Sequence, residues 1–198
     1  MSDVIVIATT NSDKFREIEG LLRDDAPFVF RCLNDYPPLP EPEEDGKTFF
    51  ENALKKALYY CHELKLPCVC DDSGLEVEAL NGAPGVHSAR YAGVPSSSER
   101  NNEKLLEQLR GVAENDRRAR FVCCAMICFP DGRIHAETGT VEGRIADRCR
   151  GNHGFGYDPL FIPEGYNLTF GELDPEIKKA ISHRARAFHK LRDYLRSL

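Results

Sequence analysis

At 198 residues the chain is long enough for one substantial core, and 41 % hydrophobic with 29 % charged residues is an ordinary globular balance. The net charge of −6 argues against a broad phosphate-gripping face for nucleic acid, and the longest apolar run, Phe121 to Phe129, is too short to cross a bilayer. Met1-Ser2-Asp3 opens no secretory signal, so one cytoplasmic domain without nucleic-acid or membrane partners is expected.

Val4 to Ala8 is a β-branched run that reads as a buried strand, ended by the polar cluster Thr9 to Ser12. Phe15, Ile18 and Leu22 then repeat at helical spacing, with Asn11 or Ser12 as the cap. Phe28 to Leu33 predicts a second strand, and the proline-rich stretch Asp35 to Gly46 a loop. A long helix follows, with Phe50, Leu54, Ala57, Leu58, Cys61 and Leu64 as its inward stripe.

Cys68 to Cys70 predicts a brief strand entering an acidic turn at Asp71-Asp72-Ser73-Gly74, and Leu75 to Leu80 alternates like a half-exposed strand. Ser97 to Leu109 reads as a helix. Arg118 to Phe129 and Arg133 to Ile145 are two long strands around Pro130-Asp131-Gly132, a strong hairpin signal. Asp174-Pro175 opens a short helix, and Ser182 caps a last one carrying Phe188, Leu191 and Leu195. The order predicts an α/β fold: a mixed central sheet with long antiparallel strands, helices on its faces, and two lobes enclosing a cleft. The eight cysteines read as reduced core thiols. Cys123 and Cys124 would face opposite sides of a strand, and Cys124 and Cys128 would stand about 13 Å apart, which does not suit zinc.

Four segments carry chemistry. Thr9-Thr10-Asn11-Ser12-Asp13-Lys14 is a polar strand-to-helix corner whose amides, hydroxyls and ammonium suit a phosphate; the same residues also make an ordinary helix cap. Asp71-Asp72, with Glu43, Glu44 and Asp45 of the proline-rich loop, would be relieved of mutual repulsion by a hard cation such as Mg²⁺, although a solvated acidic turn uses the same residue types. Gly151 to Pro159 combines glycines, Phe155, Tyr157 and Asp158 into either a base pocket or a glycine-rich corner with core aromatics. His183 and Arg184, with Lys178 nearby, stand at a helix beginning, where cations oppose the macrodipole unless an anion is close.

Together, in this order, these segments resemble the inosine triphosphate pyrophosphatase family. The likeness extends through Thr48-Phe49, Glu51-Asn52-Ala53, Gly82-Ala83-Pro84-Gly85-Val86, Ser88-Ala89-Arg90-Tyr91 and Phe155-Gly156-Tyr157-Asp158-Pro159 to Ile181-Ser182-His183-Arg184. The resemblance implies a Mg²⁺-dependent homodimer of two-lobed α/β subunits that hydrolyses purine nucleoside triphosphates such as ITP, dITP and XTP to monophosphate and pyrophosphate. It implies that Thr9, Thr10, Asn11, Ser12, Asp13 and Lys14 bind the triphosphate and that Glu43 and Asp72 serve the metal. It also implies that Asp72 is the base toward water. On the same resemblance Ser73 would contact substrate, and Phe155, Gly156, Tyr157, Asp158, Lys178, His183 and Arg184 would hold base and phosphates. His153 departs from the family pattern, standing where glycine is usual, and so does Thr10.

Base choice follows from hydrogen bonding: hypoxanthine offers a C6 carbonyl and an N1–H, and Asp158 accepts the latter while backbone amides or Arg184 donate to the former. Adenine reverses both groups, so ATP is expected to be a poor substrate. Two rivals stand beside this reading: a phosphomonoesterase with an aspartyl nucleophile, which the acidic pair also suits, and a nucleotide-binding sensor without catalysis.

Overall fold

The computed structural model describes residues 4–23 and 28–198, apart from the side chain of Asp13. Among the described residues, six strands and five α-helices follow in the order β1 (Val4–Ile7), α1 (Ser12–Leu22), β2 (Val29–Cys32), α2 (Phe49–Leu64), β3 (Cys68–Val77), α3 (Ser98–Gln108), β4 (Arg118–Cys128), β5 (Ile134–Ile145), β6 (Phe161–Pro163), α4 (Pro175–Ile181) and α5 (His183–Arg196). The strands form one sheet in the order β2-β1-β3-β4-β5-β6. β1 runs parallel to β2 and β3, with Val4 opposite Val29 and Val6 opposite Cys68, while β5 and β6 are antiparallel, with Arg144 opposite Ile162. The sheet is therefore mixed, as the sequence predicts.

The chain divides into two compact units, one of Met1–Asp72, Cys123–Gly139 and Arg184–Leu198, the other of Ser73–Val122 and Thr140–His183. Each has its own apolar cluster. In the first, β1 contributes Ile5 and Ile7, α1 contributes Ile18, Leu21 and Leu22, and α5 contributes Phe188, Leu191 and Leu195 at helical spacing. In the second, Leu75, Val77, Leu105, Leu109, Phe121, Phe161 and Phe170 are all buried. A fully buried side chain of this size contributes roughly 1.5–3 kcal/mol. The two clusters therefore stabilise their own units.

Several elements differ from expectation. The first is the acidic turn: β3 runs unbroken through Asp71, Asp72, Ser73 and Gly74. Turn-forming residue types lose to partners brought from elsewhere, because both carboxylates meet cations and the strand has no need to leave the sheet for water.

The second is α2, whose buried face is Phe49, Asn52, Ala53, Ala57, Tyr60 and Cys61, while Phe50 and Leu58 of the expected stripe are 50 % and 44 % exposed. The helix turns its polar Asn52 and Lys56 inward, where a carboxylate is waiting. Third, β6 is a short strand the sequence reading did not contain, and Glu78 to Leu80 forms a single 3-10 turn rather than strand. Among the cysteines, Cys149 is exposed and Cys32 only partly buried, so these two depart from the core reading.

Candidate functional site

Successive residues of a strand point to opposite faces, so Asp71 and Asp72 meet different sets of partners. Both are nevertheless buried, at 4 % and 9 % exposure. Asp71 Oδ1 is 2.7 Å from Lys14 Nζ, and its Oδ2 lies 3.7 Å from Arg184 Nε and 4.0 Å from Cys123 Sγ. Arg184 in turn reaches Glu17 Oε2 at 3.0 Å. The result is an alternating chain, Lys14–Asp71–Arg184–Glu17. Burial pushes the Asp71 carboxyl up, but Lys14, Arg184 and Lys56 more than offset that and hold it well below the usual carboxylate range.

Local geometry explains how Lys14 arrives. Asn11 Oδ1 accepts the Lys14 N–H at 3.0 Å, the N3 position of α1, and Thr9 Oγ1 accepts the Asn11 N–H at 3.1 Å. Capping and a role toward a ligand are thus not alternatives: the cap fixes the corner, and Thr10, Asn11 and Ser12 remain exposed there. Thr10 does not adopt positive φ, so the residue that replaces a frequent glycine is unstrained. The side chain of Asp13 lies outside the described residues. At the start of α5, the anion that Arg184 demands is supplied by the protein itself, through Glu17 and Asp71.

Asp72 has a different shell. Its Oδ1 is 3.0 Å from Lys56 Nζ, and its Oδ2 accepts from Asn52 Nδ2 at 3.2 Å. Lys56 also donates to Glu44 Oε1 at 2.8 Å, and the Gly46 N–H donates to Asn52 Oδ1 at 2.8 Å. The acidic loop is therefore tied to Asp72 through α2. Here burial prevails, and the Asp72 carboxyl rises above its ordinary value despite Lys56. Of the loop acids, Glu44 joins this network, Asp45 pairs with Lys55, and Glu43 is exposed.

Lys56, Asn52 and Glu17 were absent from the expected site. A signal existed: Asn52 and Lys56 fall four residues apart among small or aromatic residues on α2, where a buried charge needs a partner.

In the second unit, Phe155 to Asp158 forms a tight turn closed by the Asp158 N–H on the Phe155 carbonyl at 3.2 Å. Asp158, 2 % exposed, accepts on Oδ2 from the Phe155 N–H at 2.7 Å and from Lys178 Nζ at 2.5 Å. The ammonium of Lys178 lies 4.6 Å from the centroid of the Phe155 ring, which is 61 % exposed. Asp158 Oδ2 thus holds the turn and Lys178. Tyr157 is buried, and its hydroxyl donates to the Ser88 carbonyl at 2.9 Å.

His153 has no positive φ, and its N–H donates to the Gly171 carbonyl at 3.0 Å, so the loop accommodates it. Ser73, half-buried, begins this unit one residue after Asp72. His183 stacks on Phe121 with centroids 4.7 Å apart and is 7 % exposed. Lys178 belongs to α4, in its last turn, and not to the helix start shared by His183 and Arg184.

A mixed α/β chain with two buried carboxylates, each met by cations, beside a capped polar helix start is a protein equipped for anionic ligands. The chain belongs to the Ham1 family, whose model matches residues 5–194. It is 49 % identical over 191 residues to the dITP/XTP pyrophosphatase of Geobacter sulfurreducens, covering 96 % of each chain. It is 46 % identical over 194 residues to that of Desulforamulus reducens, covering 98 % of this chain and 96 % of the relative. Among solved structures, the Ham1 protein of Staphylococcus aureus superposes with a TM-score of 0.90 at 41 % identity, covering 98 % of both chains. A HAM1 protein from Coxiella burnetii gives 0.91 at 40 % identity, covering 98 % of this chain and 99 % of that one.

Proposed function

We propose that the chain hydrolyses non-standard purine nucleoside triphosphates, namely dITP, ITP and XTP, to the nucleoside monophosphate and pyrophosphate, removing them from the nucleotide pool. The observation that carries this reading is the buried Asp72 carboxylate, held by Asn52 and by Lys56, whose ammonium also meets Glu44. Relatives named as dITP/XTP pyrophosphatases support the substrate class. Asp72 orients the attacking water and takes its proton while the bond between the α and β phosphates breaks. Lys14, Lys56 and Arg184 stabilise the charge that develops on the phosphate oxygens. Thr9 to Ser12 bind the triphosphate through hydroxyls and helix-start amides.

Mg²⁺ suits the donor set. Asp72 and Glu44 are hard oxygen donors converging on one ammonium, and among the described residues no three acidic, His or Cys side chains form a metal-holding group. Two carboxylates leave most of an octahedral shell to phosphate oxygens and water, the arrangement Mg²⁺ favours. Asp72 and an acid of the loop, Glu44 or the exposed Glu43, would hold the ion, which neutralises triphosphate charge when bound.

In the second unit Phe155 stacks on the base, Lys178 supplies a cation at its edge, and Ser73, Gly156, Tyr157, Asp158 and His183 complete or support the contacts. Two copies of the chain pair in the cytoplasm as the working form. One assay tests the reading: a panel of nucleoside triphosphates with Mg²⁺, with chelator, and with Mg²⁺ restored. Pyrophosphate and monophosphate from dITP and XTP, lost with chelator and recovered with Mg²⁺, are expected. Orthophosphate alone would favour the phosphomonoesterase, and intact nucleotide the sensor.

A further inference from the structure

We propose that Asn102 is a positioning residue for base selection, fixing the peptide between Gly156 and Tyr157 so that the turn offers a donor rather than an acceptor to the purine. This rests on the reading of Phe155 to Asp158 as the base-binding turn.

Helix α3 turns Asn101, Asn102 and Leu105 inward. Two adjacent asparagines therefore occupy slots where apolar side chains would be the default. Asn101 explains itself as a clamp: its Oδ1 accepts the Ala92 N–H at 2.7 Å, and its Nδ2 donates to the carbonyls of Ser88 at 3.3 Å and Ala89 at 3.0 Å. Asn102, 5 % exposed, is different. Its Nδ2 donates to the Gly156 carbonyl at 3.0 Å, while its buried Oδ1 has no hydrogen-bond partner among the described residues. A buried amide that leaves its acceptor unsatisfied is a poor packing solution, and such local violations point to function.

The bond falls on the one soft coordinate of the turn. With Asp158 N–H closing on the Phe155 carbonyl, Gly156 and Tyr157 are the two central residues of a four-residue turn, and Gly156 has φ of +62°. The peptide between two central turn residues is the part that can flip while the ends stay closed, and glycine lowers the barrier. Asp158 anchors the Phe155 amide and the Tyr157 hydroxyl anchors the ring, so neither sets that plane. Asn102 does.

Because a trans peptide directs its C=O and N–H to opposite sides, a Gly156 carbonyl held by α3 sends the Tyr157 N–H the other way, and that N–H has no hydrogen-bond partner among the described residues. A donor suits a 6-oxo purine. A flipped peptide would present a carbonyl, which suits the 6-amino group of adenine.

The test measures kcat/KM for dITP and dATP with Mg²⁺, and the thermal midpoint, in Asn102→Leu and Asn102→Asp. Leucine fills the slot without a donor; aspartate keeps the shape but sets an acceptor against the Gly156 carbonyl. The dITP-to-dATP ratio is expected to fall by about tenfold or more in both, the scale of losing one aligned hydrogen bond in recognition. A midpoint that holds or rises in Asn102→Leu, together with Asn102→Ser restoring part of the ratio, separates selection from packing. An unchanged ratio in either folded variant overturns the proposal, as does equal loss for both nucleotides. Phe155→Ala distinguishes the two levels: if it leaves dITP turnover intact, the base-turn reading fails, whereas loss there with an unchanged Asn102→Leu ratio removes only Asn102's role.

Discussion

The first unit holds its candidate site mainly by charge, and the second holds its candidate turn by hydrogen bonds around one buried ion pair, Lys178–Asp158. Around Asp71 and Asp72, buried carboxylates are matched to Lys14, Arg184 and Lys56. Around Phe155 to Asp158, a short turn is pinned by Asn102, Ser88 and the Asp158 carboxylate. The difference lies in what a lesion leaves behind. Removing one member of a buried charge network strands its partner, which costs several kcal/mol; removing a neutral hydrogen bond costs about one. The charge networks of the first unit should therefore fail abruptly, and the neutral contacts of Asn102 and Tyr157 in the second by degrees.

The largest effect is expected at Asp72. If its carboxylate takes a proton from water, Asp72→Asn should lower kcat by about 10³-fold, within the span of general-base effects. Its fold should survive, because burial already disfavours the ionised carboxyl, as its raised pKa shows, and Lys56 keeps Glu44. Steady-state kinetics with a denaturation midpoint check both halves. Retention of more than about a tenth of the wild-type rate would break the assignment.

Asp71 should behave in the opposite sense. Its ionised form is favoured by the fold, so Asp71→Asn leaves Lys14 and Arg184 short of a partner and should cost about 3 kcal/mol in chemical denaturation. Comparing the two variants sharpens the contrast within the first unit: one carboxylate mainly sets rate, its neighbour mainly sets stability. Equal stabilities would collapse it.

This division was only half legible in the sequence. The adjacent acids, the polar corner and the Phe-Gly-Tyr-Asp segment stand out because their residue types are unusual where they occur. That Asp71 and Asp72 lie mid-strand was hidden, since Asp, Ser and Gly are turn-formers and the cations that allow a strand there come from positions 14, 56 and 184. The inward face of α2 was misread in part for a related reason: Ala57 and Cys61 of the expected stripe are buried, but Lys56 and Asn52 are drawn to Asp72, and the helix is rotated so that Phe50 and Leu58 are exposed. Periodicity ranks faces by apolarity and does not see a distant carboxylate. Asn102 was invisible altogether, because an asparagine on a polar helix carries no mark of the carbonyl it meets.

Within the second unit, one glycine before the Phe155 to Asp158 turn and one inside it separate space from backbone conformation, and they give the smallest expected effects. Gly154 and Gly156 both have positive φ, +75° and +62°, so alanine at either carries the left-handed penalty of about 1–2 kcal/mol. At Gly154 a Cβ would also stand 2.0 Å from Asp158 Oδ2, the atom that holds the Phe155 amide and Lys178. Gly154→Ala should therefore raise KM for dITP by about tenfold or more, because the carboxylate must move and release both partners. At Gly156 nothing lies within 4 Å of the added carbon. Gly156→Ala should lower stability by about 1 kcal/mol and change KM by no more than about threefold, unless the turn relaxes by flipping the peptide that Asn102 holds. In that event dATP turnover rises while dITP turnover falls. Measuring both nucleotides on this variant thus reads whether strain at Gly156 escapes through the peptide plane or stays in the backbone, and a fall in both at equal ratio would show that it stays.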